Sequence, residues 1–234
     1  NEYHQEFEEM FNGTFNGGFS GSKSFKLQNN ATAELFFSSE DQWMTNKFLY
    51  NIRSATKSAI MLGNNLTKFG YMGATDAIAA AFLEAKSNGA IVEGSVDDWY
   101  YDNNVSKSTI DQLAANGADV RVIKNPNNVD ARLHNKIVII DGELVITGSA
   151  NFTMSAQSNN DENQIYIRDP ILAREYLKHY RKLMNESHIK TATATFEENA
   201  PSNITGVVGK AEGEGIKLTW DRCSSRDFDR YFIY

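Results

Sequence analysis

The chain has 234 residues, 41% hydrophobic and 23% charged, a balance that fits a globular protein of one large domain or one domain and part of another. Its formal charge of −7 disfavours tight duplex binding by the protein as a whole, because strong nucleic-acid binders carry a basic face; a local basic groove stays allowed. No apolar run approaches the roughly 18 residues of a membrane helix. No basic stretch followed by an apolar core marks a signal peptide, and the chain starts at Asn1 rather than Met. It therefore reads as a fragment or processed form, and the missing signal leaves export open. Cys223 is the single cysteine, so no internal disulfide and no cysteine-based zinc site can form. His4, His179 and His188 stand at no ligand spacing from His134, and neither a metal nor another cofactor is expected.

The elements follow in chain order. NEYHQEFEEMFN (1–12) is an amphipathic helix that repeats later as REYLKHYRKLMN (174–185): Glu-Tyr recurs, Phe7 matches Tyr180, Met10 matches Leu183 and Phe11 matches Met184. Either two amphipathic helices agree by chance, or the chain opens inside the last helix of an earlier copy of the same domain. On the second view GTFNGGFSGSKS (13–24) is a Gly/Ser-rich linker, part of a connection spanning 13–32. Strand–helix alternation then fills 33–169. Strands are expected at 33–39, 58–65, 90–96, 119–123, 134–141, 143–149 and 163–169, and helices at 41–56, 74–89 and 105–117, the last two stopped by Gly89 and Gly117. DDWYYDNN (97–104) is a loop holding Trp99, Tyr100 and Tyr101, which stack on bases, seat at a membrane surface or simply pack under the next helix, the last being the favoured reading. Asp141-Gly142 between two apolar runs marks a hairpin over 134–149. A helix over 170–187 starts with Pro170 in its first turn. The fold class is α/β: a mixed β-sheet flanked by helices, with the domain spanning 33–190.

The last segment, 195–234, changes style to short alternating strands (ITGVVGKAE, GIKLTWD, YFIY). With Trp220 and DRYFIY it resembles the opening of a fibronectin type III module. A complete sandwich of that kind needs about 100 residues, so the tail is expected to be truncated or to pack on the main domain.

One constellation carries chemistry. It reads His134-x-Lys136, four residues, Asp141, six residues, then Gly148-Ser149-x-Asn151, and it continues through GSANFTMSAQSNNDEN. This pattern resembles the phospholipase D superfamily and its HKD motif, over about residues 33–187. The resemblance implies a phospholipase D-like sandwich and a phosphodiesterase, and it assigns Glu162 as the supporting carboxylate. The residues read by themselves agree. Along an alternating strand His134 and Lys136 share a face with Val138 and Ile140, while Ile137 and Ile139 take the other. A neutral imidazole can attack phosphorus and hold the phosphoryl group covalently. A neighbouring ammonium supplies charge to the non-bridging oxygens. Ser149 and Asn151, at i and i+2, can donate to charge developing in the transition state. Glu162 can fix the tautomer of His134. Asp141 sits at the turn, away from any substrate, and orders the hairpin through backbone hydrogen bonds, with Gly148 as a further structural support.

A single motif is chemically incomplete, because displacement at a phosphodiester also needs a proton for the leaving oxygen. In the superfamily that proton comes from the His of a second HKD half. Here the second half is expected from a missing N-terminal part of the same chain, as the repeat at 1–12 suggests, or from a homodimer partner. The substrate class stays open between a nucleic acid, which Arg121, Lys124, Arg132 and Lys136 would favour, and a phospholipid. The competing reading is a catalytically inactive HKD half that acts as spacer or binding module in a secreted, fibronectin-containing protein. The tail favours a secreted or cell-surface bacterial location.

Overall fold

The computed structural model describes residues 2–15, 23–67, 76–124, 132–186, 188–191, 208–212 and 215–219, in two units, Asn1–Ala194 and Thr195–Tyr234. In the first unit the described strands are β1 (Lys23–Lys26), β2 (Thr32–Ser38), β3 (Ser58–Gly63), β4 (Ile91–Asp97), β5 (Asp119–Lys124), β6 (Lys136–Ile140), β7 (Leu144–Gly148), β8 (Glu162–Arg168) and β9 (His188–Thr191). They form one sheet in the order β1-β2-β8-β7-β6-β3-β4-β5-β9. β3, β4 and β5 run parallel, joined by the crossover helices α3 (Ala77–Ser87) and α5 (Lys107–Ala115), as parallel neighbours require. The other pairings are antiparallel, so the sheet is mixed, as expected.

Both faces of the centre are covered, which is why SAIMLG and KIVII read as continuous apolar runs rather than as alternation. Ala59, Met61, Val138 and Ile140 pack with Ile52, Phe82 and Ile110 on one face. Ile60, Leu62, Ile137 and Ile139 pack with Ala173, Tyr180 and Met184 on the other. The first face takes α2 (Leu49–Arg53), α3 and α5; the second takes α7 (Pro170–Glu186). Asp76 caps α3 by accepting from the N–H groups of Ile78 and Ala79, and Asp169 does the same for Ile171 and Leu172 at α7. The Arg181 fork on Glu93, at 2.6 and 3.2 Å, ties α7 to β4.

Several elements differ from the sequence expectation, each for a local reason. The helix expected over 41–56 is a π turn, Met44–Phe48, running into the short α2. The five-residue helices α4 (Asp98–Asp102) and α6 (Met154–Ser158) are capped by Asp97 and Thr153, but one turn is too short to show a helical period. Lys23–Lys26, expected inside the linker, is an edge strand on β2; four residues, KSFK, give little alternation to read. Residues 188–191, beyond the expected helix end, pair with β5. The strand expected from residue 134 begins at Lys136. α1 (Glu2–Phe11) confirms the first amphipathic segment as a helix. In the second unit β10 (Val208–Glu212) and β11 (Gly215–Thr219) form an antiparallel hairpin. Trp220 and DRYFIY lie outside the described residues.

The β6–β7 hairpin at the centre is fastened from its turn. Asp141 and Gly142 take positive φ, 56° and 67°, the conformation that Asp-Gly turns supply at low cost. The Asp141 carboxylate then accepts from the N–H groups of Thr56, Lys57 (2.7 Å) and Ser58 (2.9 Å) and from the Thr56 hydroxyl. Burial alone would push this carboxyl up; the donors outweigh it and hold it below the ordinary aspartate range. At the other end of β7, a Cβ on Gly148 would collide with the Asn163 carbonyl oxygen and lie 2.9 Å from Cα of Gln164, because β8 crosses there at very close range.

Replacing Asp141 with Ala should lower stability by about 2–3 kcal/mol, or about 5–10 °C in Tm. The folded pKa is depressed, so this contribution is full above the ordinary value near about 4 and fades as pH falls through the folded value. Melting temperatures of the two proteins should therefore draw together as pH falls below the ordinary aspartate value. Gly148→Ala should cost about 2–4 kcal/mol, since backbone rather than a movable side chain blocks the new methyl; urea unfolding at neutral pH measures it, and an unchanged midpoint would show that β7 and β8 are not held so close.

Candidate active site

The sheet order brings the start of β6, the end of β7 and the start of β8 to one rim. That rim collects His134 and Lys136, then Gly148 to Asn151, then Glu162. An open groove of about 490 Å³ lies there, walled by His134, Lys136 and Gly148 on the hairpin side and by Glu175, Tyr176 and His179 of α7.

His134 is exposed on the extended lead-in to β6. Its backbone is held from both sides. The Asp97 carboxylate accepts from Leu133 N–H at 2.6 Å and from Trp99 N–H at 3.1 Å, and Asn64 N–H donates to the Asn135 carbonyl at 2.8 Å. Burial pushes the Asp97 carboxyl up despite its two donors. Arg132 stacks its guanidinium 3.8 Å over the Trp99 ring. Of the three aromatics expected in this loop, Tyr101 is buried and donates to Asp111 at 2.6 Å, whereas Trp99 remains 43% exposed beside Arg132.

Lys136 is only 7% exposed, unlike an ordinary solvated strand lysine. Its Nζ donates to the His134 carbonyl at 3.0 Å. Burial lowers its pKa, and the negative charge of Glu162 opposes that shift, as expected of an ammonium withdrawn from water beside a carboxylate.

Ser149 and Asn151 stand beyond the end of β7, in the loop, rather than on a strand. The strand expected over 143–149 thus ends before Ser149. The Ser149 hydroxyl donates to Glu162 Oε2 at 2.5 Å and accepts from the Asn163 N–H at 3.0 Å. Its proton is thus committed to the carboxylate. Asn160 donates to the other oxygen, Oε1, at 3.1 Å. Among the described residues the hydrogen bonds of Glu162 go to Ser149 and Asn160, not to the His134 ring. Asn151 is half-buried, and its Oδ1 has no hydrogen-bond partner among the described residues. Asp141 lies at the opposite end of β6, engaged with Thr56 to Ser58.

Sequence reasoning missed Asp97, Tyr176 and His179. His179 was set aside for want of metal spacing, yet it lies one turn from Glu175 and Tyr176, and its Nε2 is 3.4 Å from Asn135 Nδ2. The i, i+3 and i, i+4 placement of 175, 176 and 179 on one helix face was a readable signal. Asp97 carried none, because its partner Leu133 is remote in sequence.

With this geometry in hand, the comparisons are specific. Phospholipase D of Rickettsia conorii is 38% identical over 116 residues, covering 48% of this chain and 55% of that protein. Mitochondrial cardiolipin hydrolase of Xenopus tropicalis is 30% identical over 109 residues, 47% of this chain and 49% of its own length. The chain spans about half the length of these curated relatives. Among solved structures, the phospholipase D family member Nuc from Salmonella typhimurium superposes with a TM-score of 0.58 at 26% identity, covering 69% of this chain and 99% of that one. NucT from Helicobacter pylori shares the fold, with a TM-score of 0.55 at 21% identity over 67% of this chain and 98% of its own. The family described as cardiolipin synthase, PLD-like domain matches residues 49–184, more than half of the chain and the whole rim from His134 to Glu162, and the chain belongs to that family.

Proposed function

We propose that this chain is one half of a metal-independent phosphodiesterase that works through a phosphohistidine on His134. The observation that carries the reading is the pairing of an exposed imidazole on an open groove, that of His134, with the buried ammonium of Lys136 folded against the His134 backbone carbonyl. In the first step a ring nitrogen of His134 forms a bond to phosphorus, the bond from phosphorus to the leaving oxygen breaks, and that oxygen takes a proton from an acid opposite. In the second, water attacks phosphorus, gives its proton to the same group and releases His134. Lys136 and the Asn151 amide face the charge that builds on the non-bridging oxygens. Glu162, locked by Ser149 and Asn160, balances Lys136 and orients the rim. The acid is the histidine of a second HKD half, in a preceding part of the same chain or in a partner copy.

The substrate is a phosphodiester. Names of the relatives, phospholipase D and cardiolipin hydrolase, support a phospholipid. The Arg132–Trp99 stack beside His134 supports a nucleic-acid strand as the second reading, since a cation over an exposed ring suits phosphate and base together. The tail as an accessory module, and an extracytoplasmic location with it, rests on the fibronectin resemblance.

The test pairs a labelled phospholipid with a labelled single-stranded oligonucleotide, each with and without EDTA. Activity on one of the two should persist in EDTA, fall by at least about 1,000-fold in His134→Ala and leave an acid-labile phosphoryl adduct on His134 after rapid quenching. Full activity of His134→Ala, or its abolition in the wild type by EDTA under conditions where the protein stays folded, would overturn the mechanism.

A further inference from the structure

The N-terminal helix docks in an unusual way. Glu6 is the only buried residue of α1, 7% exposed, while Phe7 and Phe11 of the same helix are 54% and 75% exposed. A helix normally turns its apolar stripe inward; here it turns a carboxylate inward. What Glu6 meets is more negative charge. Glu40, in the turn after β2, and Asp161, just before β8, each place a carboxylate oxygen so that the three ligand atoms lie within 4.8 Å of one another.

A second observation points to a ligand. Glu6 Oε2 and Glu40 Oε2 are shut off from solvent and have no hydrogen-bond partner among the described residues. A buried carboxylate oxygen without a donor is costly, and two such oxygens on neighbouring carboxylates of one cluster call for a cation. Withdrawal from water, followed by the charges of Glu40, Glu9, Asp161 and Asp41, pushes the Glu6 carboxyl up to about 7, and burial raises Glu40 as well. The charges that act most on Glu6 are all negative.

We infer that Glu6, Glu40 and Asp161 form a divalent-cation site, suited to calcium, that fastens α1 to the turn leading into β8. Calcium binds oxygen at about 2.3–2.6 Å, so two oxygens on one ion stand at most about 5 Å apart, which matches the spread of this set. Three carboxylates supply part of its shell of six to eight oxygens and water the rest. Magnesium, which holds a tight octahedron and gives up its waters reluctantly, fits less well. The ion has no part in the proposed chemistry, because its ligands lie outside the groove. It acts on architecture: Asp161 directly precedes Glu162, and Tyr3, one turn before Glu6, donates to Asn163 at 3.3 Å.

Thermal unfolding of the full chain tests this. Stripped with EDTA and then given calcium to about 10 mM, the wild type should gain about 5–10 °C in Tm, and magnesium at the same concentration less than half of that. The double variant Glu6→Gln/Glu40→Gln keeps shape and loses two charges. It should melt at or above the calcium-free wild type and show no calcium shift. Calorimetric titration of the wild type should give one calcium per chain. No uptake in that titration, or a calcium shift in the double variant equal to that of the wild type, overturns the site. None of these readings needs a substrate, so they stand or fall apart from the phosphodiesterase proposal.

Discussion

The Asp141 carboxylate, accepting from three successive backbone N–H groups at the entry to β3, is the constraint on which the rest of the structure depends. β6 lies between β7 and β3 with both faces covered, so its side chains have no freedom to choose sides. Strand periodicity is two, and a slip of one residue would drive Lys136 under α7 and turn Ile137 toward α2 and α3. Gripping the turn fixes the register. It therefore fixes, about 17 Å away along a five-residue strand, which residues reach the rim. The aspartate of the motif acts on the site through geometry alone.

Much of this was legible because the hairpin obeys local rules. Asp141-Gly142 announced the turn, and the face shared by Lys136, Val138 and Ile140 is the face they occupy. The rim itself was less legible. A strand was expected to carry His134, but hydrogen bonding starts at Lys136, and the residue before it is steered by Asp97, whose reach to Leu133 has no sequence signature. Ser149 was expected to donate outward. Its hydroxyl is instead drawn to Glu162, because Gly148 lets β8 approach so closely that the Asn163 N–H and the Glu162 carboxylate both meet the serine oxygen. Periodicity predicts which face a residue takes; it is silent on which of several polar neighbours wins a proton.

Charge at the rim follows one rule throughout, that burial must be answered locally. Lys136 gives up water and gains the His134 carbonyl and the field of Glu162. Glu162 is held by two neutral donors, which leaves its charge available to the lysine. Asp97 gains two backbone donors and is still pushed up by burial. Absence of histidine or cysteine spacing argued against a metal, yet carboxylates at 6, 40 and 161 have no spacing to read: they meet only because α1, the end of β2 and the turn before β8 meet.

The two carboxylates at 161 and 162 then divide their labour by direction. They are adjacent in the chain, and the start of a strand sends successive side chains to opposite sides. Glu162 turns to the loop after β7 and the lysine; Asp161 turns to α1. On the far side of Glu162, Asn163 is bonded by Tyr3 of that same helix and by Ser149 of the rim. The helix thus holds Asn163, one chain neighbour of the carboxylate that balances Lys136, and sets Glu6 beside Asp161, the other. A change in how α1 is seated cannot leave the backbone at Glu162 where it was, and the Ser149–Glu162 bond of 2.5 Å has little slack to absorb such a shift. The N-terminal helix belongs to the rim mechanically, although it contributes no residue to the groove.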